Sequence, residues 1–166
     1  MLRIVKGTDN LVAARVKADG ALKAGQVVYI SGEDDGFLQV KVSASYTAGA
    51  SVAAHAFCVV ELPHYSHVDQ TDVVANDAEC GLLRLSGSLM ETDQIHSTVK
   101  ALDEGSLLGI NAEAGTWYPL ATSDGLVIRV GDGEGSEDWE DLKLVSDVAK
   151  GVLVAVHGDN AIIQGL

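Results

Sequence analysis

The stretch ALKAGQVVYISGEDDGFLQV, Ala21–Val40, returns eighty residues later as ALDEGSLLGINAEAGTWYPL, Ala101–Leu120. At that constant offset Ala21, Leu22, Gly25, Ile30 and Glu33 meet identical residues at Ala101, Leu102, Gly105, Ile110 and Glu113. Val27 matches Leu107, Phe37 matches Trp117, and Val40 matches Leu120. The conserved glycine supplies a positive-φ turn, the apolar residues keep one phase, and an aromatic residue opens the next strand. The copy drops Lys23 for Asp103 and Tyr29 for Gly109. A repeat that keeps packing positions and loses polar ones is architectural, so the chain starts a β module twice.

Reading outward, QVVYIS is a β-branched strand and GEDDG a polar turn. FLQVKVSAS alternates, with Leu38, Val40 and Val42 on one face and Gln39, Lys41 and Ser43 on the other. HAFCVVE is a third, buried strand. VDQTDVVANDAEC is a short helix or a loop, and GLLRLSGSLM a strand broken at Gly87. SEDWEDLKLVSDVAKG has helix punctuation, with Ser136 as N-cap and Gly151 at C′, beside a strand reading of LKLVSDV. GVLVAVHGDNAIIQG is a hairpin in which Val152–Val156 faces Ala161–Gln164 across GDN.

The expected fold is mainly β: a small barrel or sandwich of two related modules, with at most one or two short helices and an extended N-terminal arm. The arm is 1–19, the first module 20–63, a connecting segment 64–100, and the second module 101–166 with an acidic insertion at 132–150. Eighteen glycines against two prolines fit short strands and tight turns.

The net charge of −13 argues against sequence-independent nucleic-acid binding and against anionic membranes. The charge is uneven. Residues 1–50 carry six basic and five acidic side chains, a balance of +1, and the remainder five against nineteen, a balance of −14. A near-neutral first third suggests a partner for it and solvent for the rest. No apolar leader and no membrane-length apolar run is present, so the reading is a soluble chain made in a cytoplasm. Cys58 and Cys80 lack metal-ligand spacing and read as two buried thiols, or as one disulfide.

Chemistry-bearing patterns are weak. His64, His67 and Asp69 form a His-x-x-His-x-Asp cluster, a weak metal candidate that matches no established ligand spacing. The acids from Asp132 to Asp141 lack the calcium-loop spacing and read as a solvated loop. No G-x-S-x-G or phosphate loop occurs, and His55 and Cys58 at strand spacing point to opposite faces. No cofactor is expected. Trp117 and Tyr118 are the candidate surface-binding aromatics, as for a glycan.

The turn and strand GALKAGQVVYISG (Gly20–Gly32), then Phe37–Ser45, Ala54–Glu61 and the downstream strands to Gly131, resembles the β-rich decoration or cement proteins of tailed-bacteriophage heads. Asp132–Gly151 departs from that pattern. The resemblance implies a non-enzymatic virion protein on the outer capsid surface, stabilising the shell as a homotrimer with the major capsid protein as partner. Arg3, Lys6, Arg15 and Lys17 would then contact the capsid. The competing readings are a head-fibre, tail accessory or glycan-binding module and, more remotely, a hydrolase.

Overall fold

The computed structural model describes residues 1–42, 57–61, 73–111, 114–119, 127–130, 140–143 and 151–166. The fold is mainly β, with no helix of seven or more residues among them. In chain order the strands are β1 (Leu2–Lys6), β2 (Val16–Ala18), β3 (Leu22–Lys23), β4 (Val27–Asp34), β5 (Phe37–Lys41), β6 (Phe57–Glu61), β7 (Val73–Val74) and β8 (Glu79–Arg84). They continue with β9 (Leu89–Thr92), β10 (Leu107–Asn111), β11 (Thr116–Pro119), β12 (Val127–Val130), β13 (Glu140–Lys143), β14 (Gly151–His157) and β15 (Asn160–Gly165). Short 3-10 helices lie at Thr8–Asn10 and Ser97–Ala101.

The repeated phrase opens two β units of related pairing order, a closed five-stranded barrel and a six-stranded sheet, a partial second barrel, that one isolated bridge draws round on itself. In the first, β2 pairs with β8, β8 with β6, β6 with β4, β4 with β5, and β5 returns in parallel to β2. In the second, β9 pairs with β15, β15 with β14, β14 with β10 and β10 with β11. A parallel bridge from Trp117 to Ile95, just beyond β9, then brings β11 back. The closing bonds also correspond. Leu38 N–H donates to the Arg15 carbonyl (2.9 Å) in one barrel, and Trp117 N–H to the Gln94 carbonyl (3.0 Å) in the other.

Each barrel is anchored at its turn glycine. Gly25 (φ 92°) donates its N–H to Val59 O, and Val59 N–H returns to Gln26 O. Gly105 (φ 87°) does the same with Leu153, whose N–H returns to Ser106 O. At the far end of the first hairpin, Asp35 and Gly36 both take positive φ (49° and 77°), the mirror-image turn that suits right-twisted strands.

The hairpins differ in register. Ile30 faces Val40 across the first, but its counterpart Ile110 faces Trp117, three residues before the position the offset would give. An odd shift exchanges the faces of a strand. Phe37 therefore lies outside both cores, under Arg15 and Lys17, while Trp117 turns into the second core.

One core holds Val16, Ala18, Val28, Val40, Val59, Cys80 and Leu82 inside the first barrel. The other holds Val99, Leu108, Ile110, Trp117, Leu153 and Ile163, and takes in Val27, Leu83 and Leu85 from the first barrel's side. Successive side chains of β4 and β8 thus enter different cores, which is why VV and LL doublets are buried at both positions. The barrels are further joined where Val27 N–H meets Gly115 O (2.7 Å) and Gln26 Nε2 meets Ala114 O (2.8 Å).

Pairing sharpens the reading of four segments. The N-terminal arm is no free extension: β1 adds to β9 at the edge of the second sheet, and β2 closes the first barrel. Segment 64–100 is more than a connector, since it supplies β8 to one barrel and β9 to the other. Residues 73–80, read as part of a short helix or a loop, form strand, turn and strand. Glu140–Lys143 is a strand paired with Val127–Val130, and Gly151 begins β14 instead of capping a helix. Residues 131–139 and 144–150 lie outside the described residues. The terminal hairpin has the expected register, Val152 facing Gln164 and Val156 facing Ala161.

Replacing either turn glycine by alanine strains a left-handed backbone by about 1–2 kcal/mol. Gly105→Ala should cost about that much, because a Cβ there has open space around it. Gly25→Ala should cost clearly more, because its Cβ would press on Thr92 Oγ1 and the Met1 carbonyl oxygen. Urea unfolding of the two variants measures the difference, and equal losses would contradict the packing argument.

Candidate functional site

The four proposed capsid-contact cations divide between two sheets. Arg3 and Lys6 lie on β1, Arg15 and Lys17 beside or on β2. The Arg3 guanidinium pairs with Glu91, a carboxylate that is 7% exposed and also accepts from Asn160 Nδ2 at 3.3 Å. Arg15 reaches Glu79 at 3.2 Å and lies 3.9 Å from the centroid of Phe37. Lys17 Nζ covers the same ring at 4.2 Å. Lys6 is exposed at the end of β1. Nearby, Lys41 holds Asp19 at 3.0 Å, and this hydrogen bond keeps the Asp19 carboxyl below its usual range and the Lys41 amine above its own.

β1 is the outer member of the second sheet and has no strand on its other side among the described residues. Its pairing to β9 shifts between Ile4 and Lys6, which leaves Val5 bulged and 46% exposed. Edge, bulge, apolar residue and Lys6 together form the most distinctive surface of the N-terminal segment.

Trp117 and Tyr118 are not surface aromatics. Trp117 is fully buried, and Tyr118 is 5% exposed with the His96 ring stacked on it at 4.1 Å. The odd register shift accounts for Trp117, and His96 packs against the opposite side of the strand. Among the described residues, indole Nε1 of Trp117 has no hydrogen-bond partner.

His64, His67 and Asp69 lie outside the described residues, as do His55 and most of the acidic loop. Among the described residues no group of three or more His, Cys, Asp or Glu is placed to hold a metal ion. Cys80 is a free thiol in the first core, opposite Glu61 in register rather than Cys58, and burial pushes its pKa up to about 11.

A cleft of about 330 Å³ opens beside the bridge that closes the second barrel. Asp93, Ile95, His96, Ser97, Lys100, Thr116 and Asp159 line it. Lys100 Nζ bonds Asp159 at 2.5 Å and holds that carboxyl below its usual range. Burial alone would raise Asp93, but hydrogen bonds from the Met1 amine and Gln94 carry it lower. His96 Nδ1 caps the 3-10 helix at Thr98. No sequence motif announced this cleft, because its walls come from three separated segments.

Comparison with known protein families, with curated proteins and with solved structures finds no match for the chain.

Two measurements follow. Trp117→Ala should lower stability by roughly 3–5 kcal/mol in denaturant melts, and Trp117→Phe by much less, since it also removes the unpaired N–H. A surface role for Trp117 would leave both variants near wild type. For Cys80, a folded pKa near 11 against an ordinary 9.0 contributes stability present below pH 9 and lost as pH rises toward 11. In a Cys58→Ala background, a thiol reagent at pH 8 should therefore label Cys80 only as fast as the protein unfolds.

Proposed function

We propose that this chain is a non-enzymatic structural protein of a bacteriophage virion that binds the outer capsid surface as a homotrimer and stabilises the shell. The reading rests on the family resemblance of Gly20–Gly131, and the observation that carries it is the open edge at β1. An exposed strand edge with an apolar bulge is a feature that folded chains usually cover or charge. Here it belongs to the only third of the chain that is not strongly acidic. The net −13 supports an outer face turned to solvent, where like charge keeps particles apart. Two fused barrels make a stiff body suited to clamping neighbouring subunits.

The major capsid protein is the proposed partner. Purified chain should co-sediment with expanded shells and raise the temperature at which they disrupt. Val5→Asp, which replaces the exposed apolar side chain with an acid, should weaken that binding at least about tenfold and leave the melting temperature of the free chain unchanged, since surface substitutions move stability little. Absence of co-sedimentation by the wild-type chain sinks the function. Full binding by the variant sinks β1 as the contact surface.

A further inference from the structure

The two β units correspond in register at their closing bridges, and they differ in the residues that stand beside those bridges. Val16 bridges Leu38 in the first barrel and Ile95 bridges Trp117 in the second. One residue before each bridging partner stand Phe37 and Thr116, and one residue after each first member stand Lys17 and His96. In the first barrel the Phe37 ring occupies this outer position and is only 6% exposed, covered by Arg15 and Lys17. In the second barrel the ring is replaced by the small Thr116, and the 330 Å³ cleft opens with Thr116 and His96 among its walls. The cleft therefore opens beside the strand position at which the first barrel carries a ring.

Its lining states which ring fits. Ile95 and the His96 imidazole give apolar surface, and Asp93, Ser97, Lys100, Thr116 and Asp159 give hydrogen-bonding groups around it. The charges are already matched, Lys100 with Asp159 and Asp93 with the Met1 amine, so a charged ligand would compete with an existing surface ion pair. Among the described residues the Ser97 and Thr116 hydroxyls have no hydrogen-bond partner. A neutral pyranose meets these conditions: its C–H face packs on Ile95 and His96, and its hydroxyls donate to carboxylates and accept from Lys100 and the free hydroxyls. The volume is at the lower end for small-molecule sites, which limits the occupant to a single ring at a time.

We infer that the cleft between Ile95, Thr116 and Asp159 is a binding site for one neutral pyranose ring, independent of the capsid-binding surface at β1. The probes are methyl glycosides of glucose, galactose, mannose and N-acetylglucosamine at millimolar concentration, read by saturation-transfer NMR and by amide shift mapping. At least one glycoside should receive saturation and move amides within 93–100, 116 and 159. Thr116→Phe, which restores the sister barrel's ring, should abolish those shifts without lowering the melting temperature. Asp159→Asn should weaken binding several-fold with the fold intact. No transfer to any glycoside, shifts located elsewhere, or shifts that persist in Thr116→Phe would each overturn the site. Shifts from N-acetyltyrosine amide with none from the glycosides would overturn the sugar and point to an aromatic side chain of a partner.

Discussion

Two pairs of hydrogen bonds hold this architecture together, each made by a glycine at positive φ and a strand distant in sequence. Gly25 and Gln26 grip Val59, and Gly105 and Ser106 grip Leu153. The grip decides where β6 lies on β4 and where β14 lies on β10, and so places Val59 and Leu153 at the centres of their cores. The routes to these strands differ widely. Fifteen residues separate β5 from β6, and thirty-one separate β11 from β14. Closing a chain costs only about 0.6 kcal/mol more for each doubling of its length, so the same grip accommodates both excursions.

The barrels are copies in topology but not independent bodies. β4 and β8 present one face to each core, and the tip of the β10–β11 hairpin bonds the first residues of β4. Gly115 shows how close this approach is, since a Cβ there would meet Val27 O at 2.7 Å. Packing of this kind couples the two units, so a defect in β4 is felt in both cores. Gly165 plays a matching part at the other end, exchanging backbone bonds with the Gly87 and Ser88 turn that links β8 to β9.

Much of this was legible in the residues. Turn glycines, apolar phase and the terminal hairpin are local features, and they were found where periodicity placed them. What the offset of eighty could not show was the hairpin register. That depends on the turn each hairpin uses, Asp35–Gly36 in one and a turn ending at Gly115 in the other. An odd difference between them sent Phe37 out and Trp117 in, and with Trp117 went the expected aromatic surface. LRIVK has the composition of a strand but does not name its partner, because β9 is more than eighty residues away. Glu140–Lys143 satisfied helix and strand periods alike, and only its pairing with Val127–Val130 separated them.

The uneven charge also reads differently once contacts are known. Arg3 is engaged with the buried Glu91, Arg15 with Glu79 and Phe37, Lys17 with Phe37, and Lys41 with Asp19. These cations satisfy the chain's own acids and one ring, and those on β1 and β2 bind these strands to their neighbours. Lys6 alone of the four N-terminal candidates makes no ion pair or ring contact among the described residues. In the proposed attachment, long-range attraction, which the net −13 opposes toward any acidic partner, would then be a minor part. Short-range contact at the bulged Val5 and the strand edge would carry the larger share, so the proposed attachment would rest on shape and apolar burial rather than on charge.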